Sequence, residues 1–219
     1  MSYIVITKKI WDLKNYTKLN SNIKVFNNLN FKIIKNIDPK IIFFIHWSKY
    51  IPSFIYEKYL CIQFHASDLP KGKGGSPIQN QILNNIFKSK ISAFKISDKL
   101  DSGPICMKED LNLQGSAEQI LKKIEKKSIN MIHKLIKKKK IIFKKQTGKS
   151  SYFKRLKPFQ SKINFKKIKT LKKLKDYIRM LDAPGYPNAY IDMKNFRIIF
   201  NSVKKKKNLL KTKVIIKNE

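Results

Sequence analysis

The 219 residues carry 49 Lys and Arg against 14 Asp and Glu, a formal net charge of +35, with 42% hydrophobic and 11% aromatic residues. That apolar fraction excludes a disordered polymer and suffices for one α/β domain with a smaller appendage. The charge suggests a nucleic-acid binder, yet only Arg155, Arg179 and Arg197 are arginines and the lysines travel with abundant Ile and Asn, so drift toward A/T-rich codons accounts for much of it, leaving nonspecific attraction to polyanions.

In chain order, Ile4 to Thr7 and Ile41 to Ile45 read as strands buried on both faces, the mark of a parallel sheet. Residues 8 to 40 between them are Asn/Lys-rich, too polar for two full βα units, so the front of the domain reads as abbreviated. A short amphipathic helix over Ile51 to Tyr59 starts at Pro52, and a strand over Leu60 to His65 follows. After a glycine-rich loop, Ser76 to Phe87 reads as a helix with Ser76 as cap and Pro77 at its first position. Strands are expected at Ile91 to Ile96 and Ile105 to Leu113, then a Ser116-capped helix to about Lys139 with Ile120, Leu121, Ile124, Ile129, Ile132 and Leu135 on its apolar face. The run KKKKIIFKKQTGKSS closes the first domain, residues 1 to 145, and residues 146 to 219 form a small second unit. That unit holds a helix over Leu171 to Met180, a Pro/Gly turn and a hairpin or strand pair over Tyr190 to Phe200.

The absence of any run near the ~18 apolar residues of a membrane span, and of a signal-peptide core, points to a cytoplasmic protein without membrane insertion. Cys61 and Cys106 read as buried free thiols, and His46, His65 and His133 lack ligand spacing, so no metal is expected.

Chemistry concentrates in CIQFHASDLPKGKGGSPIQ, residues 61 to 79. Strand alternation puts Cys61, Gln63 and His65 on one face, with Gln63 and His65 near the carboxyl end where open α/β sheets bind ligands. The glycines of the loop that follows permit positive φ and close ligand approach. A strand-terminal His is more often structural than catalytic, but ISDKLDSGPI, residues 96 to 105, brings Asp98 and Asp101 in a tight turn after another strand, and together the two loops could place a carboxylate beside the imidazole.

Gln63-Phe64-His65, Ser67-Asp68-Leu69-Pro70 with Gly74, Gly75 and Pro77, and Leu100-Asp101-Ser102-Gly103 resemble the active-site pattern of the folate-dependent formyltransferases, the family of the methionyl-tRNA, glycinamide-ribonucleotide and sugar N-formyltransferases. The likeness covers residues 40 to 125 and, more loosely, 150 to 200, where SYFKRL and YIRMLDAPGYPNAYI match the segment after the catalytic domain. It implies an α/β, Rossmann-like domain with a mostly parallel sheet and a small C-terminal α+β extension. It also implies formyl transfer from 10-formyltetrahydrofolate to a primary amine, without a metal.

On this resemblance His65 stabilises the oxyanion, Asp101 pairs with the imidazolium and relays the proton, and Gln63 stands where the family has Asn, one methylene longer. The folate is expected along His46, Trp47, Ser48, Tyr50 and Ile51, with Asp98 and Leu100 as the opposite wall; Trp47 and Tyr50 read equally well as core or rim aromatics. Ser67, Lys71, Lys73, Gly74 and Gly75 are assigned to the acceptor. Only about thirty, Lys-rich residues follow PGYPNAYI, short for a five-stranded OB barrel, which favours a nucleotide-linked amino sugar as acceptor. Methionyl-tRNA is the alternative, and a non-catalytic basic RNA-binding protein on the same fold is the alternative of another class. A homodimer stays open.

Overall fold

The computed structural model describes residues 1–16 and 19–218. In chain order the elements are β1 (Tyr3–Thr7), α1 (Leu13–Tyr16), β2 (Ile23–Phe26), α2 (Phe31–Ile37), β3 (Ile41–Ile45), α3 (Ser53–Lys58), β4 (Leu60–His65), β5 (Lys73–Gly74), α4 (Pro77–Leu83), β6 (Lys88–Lys95), β7 (Ile105–Asn112) and α5 (Ala117–Ile136). They continue with β8 (Tyr152–Phe153), a 3-10 turn (Pro158–Ser161), α6 (Leu171–Arg179), β9 (Ala189–Met193), β10 (Phe196–Lys206) and β11 (Leu209–Asn218).

A six-stranded sheet in the order β2-β1-β3-β4-β6-β7 forms the centre, with β2, β1, β3 and β4 parallel and β6 and β7 antiparallel. Every residue of β1 and β3 is buried, as their uninterrupted apolar sequences require of central parallel strands. Alternation divides the side chains between two cores. Ile4, Ile6, Ile42, Phe44 and Cys61 meet Ile34 of α2 and Ile55 of α3, while Val5, Phe43, Ile62 and Phe64 join the cluster that contains the apolar face of α5. That face is the expected set Ile120, Leu121, Ile124, Ile129, Ile132 and Leu135, and the helix opens with a complete Ser116–Gln119 capping box.

Four elements differ from the sequence reading. Residues 8 to 40 contain β2 and α2, whose apolar stretches IKVF and FKII are each too short to announce a βα unit. The helix from Pro77 stops at Leu83, because Asn85 turns left-handed (φ 57) and the Ile86 amide bonds back to Gln81 before β6 begins. Ser76 is itself left-handed (φ 47), and its hydroxyl accepts from the Leu156 amide instead of capping the helix. The Lys-rich tail pairs as β11 against β10, completing a three-stranded antiparallel sheet β11-β10-β9.

Residues beyond 146 share the main core: Ile163, Ile178, Met180, Leu181, Ala183 and Ala189 belong to the same buried cluster as the sheet. Arg179, buried at the end of α6, donates through Nη1 to the carbonyls of Leu113 and Gly115 at 2.7 and 2.8 Å and through Nε to Asp176. A charged anchor of this kind fixes α6 against the edge where β7 gives way to α5. Among the described residues no helix is long and apolar enough to cross a membrane.

Candidate active site

β4 ends in Gln63 and His65, and its antiparallel neighbour β6 pairs Lys95 with Ile62, so the 96–104 turn leaves β6 beside the middle of β4 and has to fold back to reach His65. It does so with Asp101 in the left-handed region (φ 48), which a short polar side chain tolerates. Gly103 makes the return feasible: a Cβ there would lie 1.7 Å from the Lys95 carbonyl oxygen.

Nδ1 of His65 stands 3.6 Å from Oδ2 of Asp101, with both side chains buried, and Nε2 lies 2.8 Å from the Gly72 carbonyl oxygen. A carbonyl only accepts, so Nε2 carries a hydrogen, and Nδ1 faces the carboxylate. Asp101 Oδ2 accepts from the Gly74 amide at 2.8 Å. Gln63 donates from Nε2 to the Trp47 carbonyl at 3.3 Å, tying β4 to the segment after β3. The expected catalytic triple Gln63, His65 and Asp101 lines one cleft of about 1110 Å³.

The cleft also takes in His46, Trp47, Ser48, Leu100, Gly74 and Gly75. The Trp47 ring is largely core, packed on Phe44 with ring centres 6.0 Å apart. Among the described residues His46 Nε2 and Trp47 Nε1 are buried donors or acceptors with no partner in the protein. Burial pushes the His46 imidazole down to about 4, so it is neutral near pH 7. Other expected binding residues lie outside the cleft wall. Tyr50 is 80% exposed, Asp98 is exposed, and Ile51 is buried in the α2/α3 core. Ser67 is spent on the loop's own structure, its hydroxyl donating to the Lys71 carbonyl. Lys71 opens onto a separate groove, and buried Lys73 donates to the Ser102 hydroxyl at 2.8 Å.

Several contributors escaped sequence reasoning. Residues 151–155 run along the glycine loop, where β8 pairs with β5; a Cβ on Gly74 would meet the Phe153 carbonyl oxygen at 2.6 Å, so that glycine admits a neighbouring strand and not a ligand. Trp11, Arg155 and residues 184–187 complete the walls. Asp101 is the one carboxylate among the described lining residues, against the cations Lys8, Lys9, Lys49, Arg155 and Lys157. A large, cation-rimmed cleft with a His–carboxylate pair suits an anionic ligand and proton-coupled group transfer. Among the described residues no group of His, Cys, Asp and Glu could hold a metal ion.

Residues 158–217 match the family model described as the C-terminal domain of methionyl-tRNA formyltransferase. The methionyl-tRNA formyltransferase of Rickettsia prowazekii is 39% identical over 90 residues, 40% of this chain and 30% of that protein. That of Thermodesulfovibrio yellowstonii is 29% identical over 174 residues, 76% of this chain and 55% of that protein, so the chain spans about half the length of this curated relative and less of the first. The solved structure of methionyl-tRNA formyltransferase from Clostridium thermocellum superposes with a TM-score of 0.93 at 39% identity, covering all of both chains. With that full-length agreement in sequence and fold, the chain belongs to the formyltransferase family.

Proposed function

We propose that this protein transfers the formyl group of 10-formyltetrahydrofolate to the amino group of methionyl-tRNA. The observation that carries formyl transfer is the convergence of Gln63, His65 and Asp101 on one cleft that His46 and Trp47 also line. The size of the cleft and its cationic rim suit a folate with its carboxylates, which His46, Trp47, Ser48 and Leu100 would help to hold. When bound, the folate supplies the formyl carbon, which exchanges its bond to the folate nitrogen for a bond to the acceptor amine.

The protein's part is to move one proton and stabilise one developing charge. Neutral His65 offers the Nδ1 lone pair to the amine proton, because Nε2–H is committed to Gly72. Once protonated, Nδ1–H is a donor for the charge building on the formyl oxygen, a preorganised role worth about 3 to 4 kcal/mol. Asp101, 3.6 Å away, offers a route for the proton to the leaving nitrogen. Gln63 extends its carboxamide toward the same cleft and is held by Trp47, which compensates for the extra methylene by fixing the longer side chain.

The acceptor reading is supported by the match of residues 158–217 to the family model described as the C-terminal domain of methionyl-tRNA formyltransferase, in a stretch whose sequence reads as short for an OB barrel. It replaces the amino sugar as our preferred acceptor. The Lys-rich strands of that unit agree: Lys204 and Lys211 are direct cross-strand partners in β10 and β11, a like-charge pair that an RNA phosphate would neutralise. We place this reaction in the cytoplasm.

The test is a formylation assay with 10-formyltetrahydrofolate and two acceptors, methionyl-tRNA and a pool of amino-sugar nucleotides. Formylmethionyl-tRNA should form and the sugars should stay unmodified. His65→Ala and Asp101→Ala should each remove most turnover, with the double variant little worse than either, since residues acting as one unit are non-additive. Turnover with sugars alone would reassign the acceptor, and multiplicative losses would dissolve the proposed pair.

A further inference from the structure

The segment from Lys144 to Phe153 bonds the Asp101 turn directly and reaches His65 through the glycine loop. Gln146 donates from Nε2 to the carbonyls of Asp101 and Gly103 at 2.8 and 2.9 Å, bracketing the left-handed turn that carries the carboxylate. Five residues later, Ser151 grips the glycine loop at three points. Its hydroxyl accepts from the Gly72 amide at 2.9 Å, its carbonyl accepts from the Lys73 amide at 2.9 Å, and its amide donates to the Pro70 carbonyl at 3.3 Å. Gly72 is the residue whose carbonyl takes the His65 Nε2 hydrogen, and Gly74, two residues on, donates to Asp101. The segment is in turn fixed to the sheet by the reciprocal Ile105–Lys144 bridge and by the β5–β8 pairing.

We propose that residues 144–153 form a strap that sets the catalytic pair, with Gln146 the positioning residue for Asp101 and Ser151 the positioning residue for His65 acting through Gly72. Neither side chain lines the active cleft. The strap supplies geometry: it holds the Gly72 carbonyl where only the Nε2–H tautomer of His65 is satisfied, and so keeps Nδ1 turned to Asp101. It also braces the left-handed Asp101 turn, alongside the Gly74 amide on Oδ2 and the hydrogen bonds of Ser102. The expected loss is therefore in turnover and not in substrate binding.

This inference rests on the formyl-transfer reading for its kinetic arm and is independent of it for its spectroscopic arm. Gln146→Glu keeps the shape but replaces the donor with a carboxylate facing two carbonyls, and Ser151→Ala removes the hydroxyl acceptor. Each should lower kcat for methionyl-tRNA by about five-fold or more, the rate equivalent of one neutral hydrogen bond, with KM for both substrates within about two-fold of the parent. Ser151→Thr, which keeps the hydroxyl, should restore kcat. In the free protein, long-range proton–nitrogen spectra recorded at about pH 9, where imidazoles are neutral, should show His65 as a single Nε2–H tautomer in the parent and in Ser151→Thr, and as a mixture in Ser151→Ala. With three histidines in the chain, His65 is assigned by comparison with His65→Ala.

An unchanged kcat in an active enzyme, an equal loss in Ser151→Thr and Ser151→Ala, or an unmoved tautomer would each overturn the strap. Parent protein that transfers no formyl group to either acceptor, yet shows the tautomer change, would overturn the proposed function and leave the strap standing.

Discussion

His46 shows how one residue at the end of a strand can tie folding to pH. It follows β3 with φ 51, a conformation reached at a cost by any residue with a Cβ, and packs edge-on against Trp11 with ring centres 6.3 Å apart. Burial pushes its pKa from 6.5 to about 4, so the folded protein holds a neutral ring across a pH range in which the unfolded chain takes up a proton. The sign follows directly. Above about pH 6.5 both states are neutral and the residue has no pH-dependent effect; as pH falls from 6.5 toward 4 the unfolded state binds more protons and stability drops, by up to about 3 kcal/mol for a shift of this size. His46→Asn keeps a residue that tolerates positive φ and does not titrate. Urea midpoints measured at several pH values in this window should therefore diverge, the parent falling more steeply than the variant. Parallel curves would mean that the His46 ring gains access to water before it titrates.

At the scale of elements, the segment before β2 hangs on a carboxylate in α5. Glu125, fully buried, accepts from the amides of Trp11 and Asp12 at 2.8 and 2.9 Å, from Asn15 Nδ2 at 3.0 Å and from the Tyr16 hydroxyl at 3.2 Å. Burial and this neighbouring charge push the Tyr16 phenol well above its ordinary range. Glu125→Ala would leave these donors facing an apolar helix and should cost about 3 kcal/mol, measured by chemical unfolding, and should raise KM for the folate because Trp11 lines the cleft. A loss below about 1 kcal/mol would show that water replaces the carboxylate. Nothing in the sequence marked Glu125, since an acid at a core-facing helix position signals only a conflict with the apolar pattern. By contrast β1, β3 and the apolar face of α5 were legible because their signal is periodic and local. The His65–Asp101 pair was legible through its two short motifs, although the antiparallel run of β6 was not. The strap was illegible for the opposite reason: Gln146 meets Asp101 across 45 residues and Ser151 meets Gly72 across 79, and both sit in a lysine-rich background that reads as solvated linker. The same background hid β11, whose KTKVIIKN sets a three-residue apolar run among lysines and leaves Val214, Ile215 and Ile216 exposed.

For the whole molecule, the +35 charge imposes a self-repulsion that folding has to overcome and that a polyanion would relieve. The two effects can be separated at the C-terminal sheet. β10 carries a bulge near Ser202, which is left-handed (φ 52) and whose amide donates to Asp182 at 3.0 Å; beyond it Lys204 faces Lys211, and Lys205 and Lys206 extend the same basic strand opposite Leu210 and Leu209. Directly opposed like charges destabilise a strand pair by up to about 1 kcal/mol, while each phosphate that a protein ceases to neutralise makes the slope of log affinity against log salt shallower by about 0.9. Replacing both Lys204 and Lys211 by Gln should thus move two measurements in opposite directions. The thermal midpoint of the free protein should rise by a few degrees, consistent with about 1 kcal/mol in a chain of this size, and tRNA affinity at low salt should fall with a slope shallower by about one to two. Turnover at saturating methionyl-tRNA should stay close to the parent, because neither Lys204 nor Lys211 lines the cleft of the His65–Asp101 pair and phosphate contacts of this kind position a substrate without taking part in its chemistry. A stabilised variant that binds tRNA as tightly, and with the same salt dependence, would separate this hairpin from the acceptor and leave its charge as compositional drift.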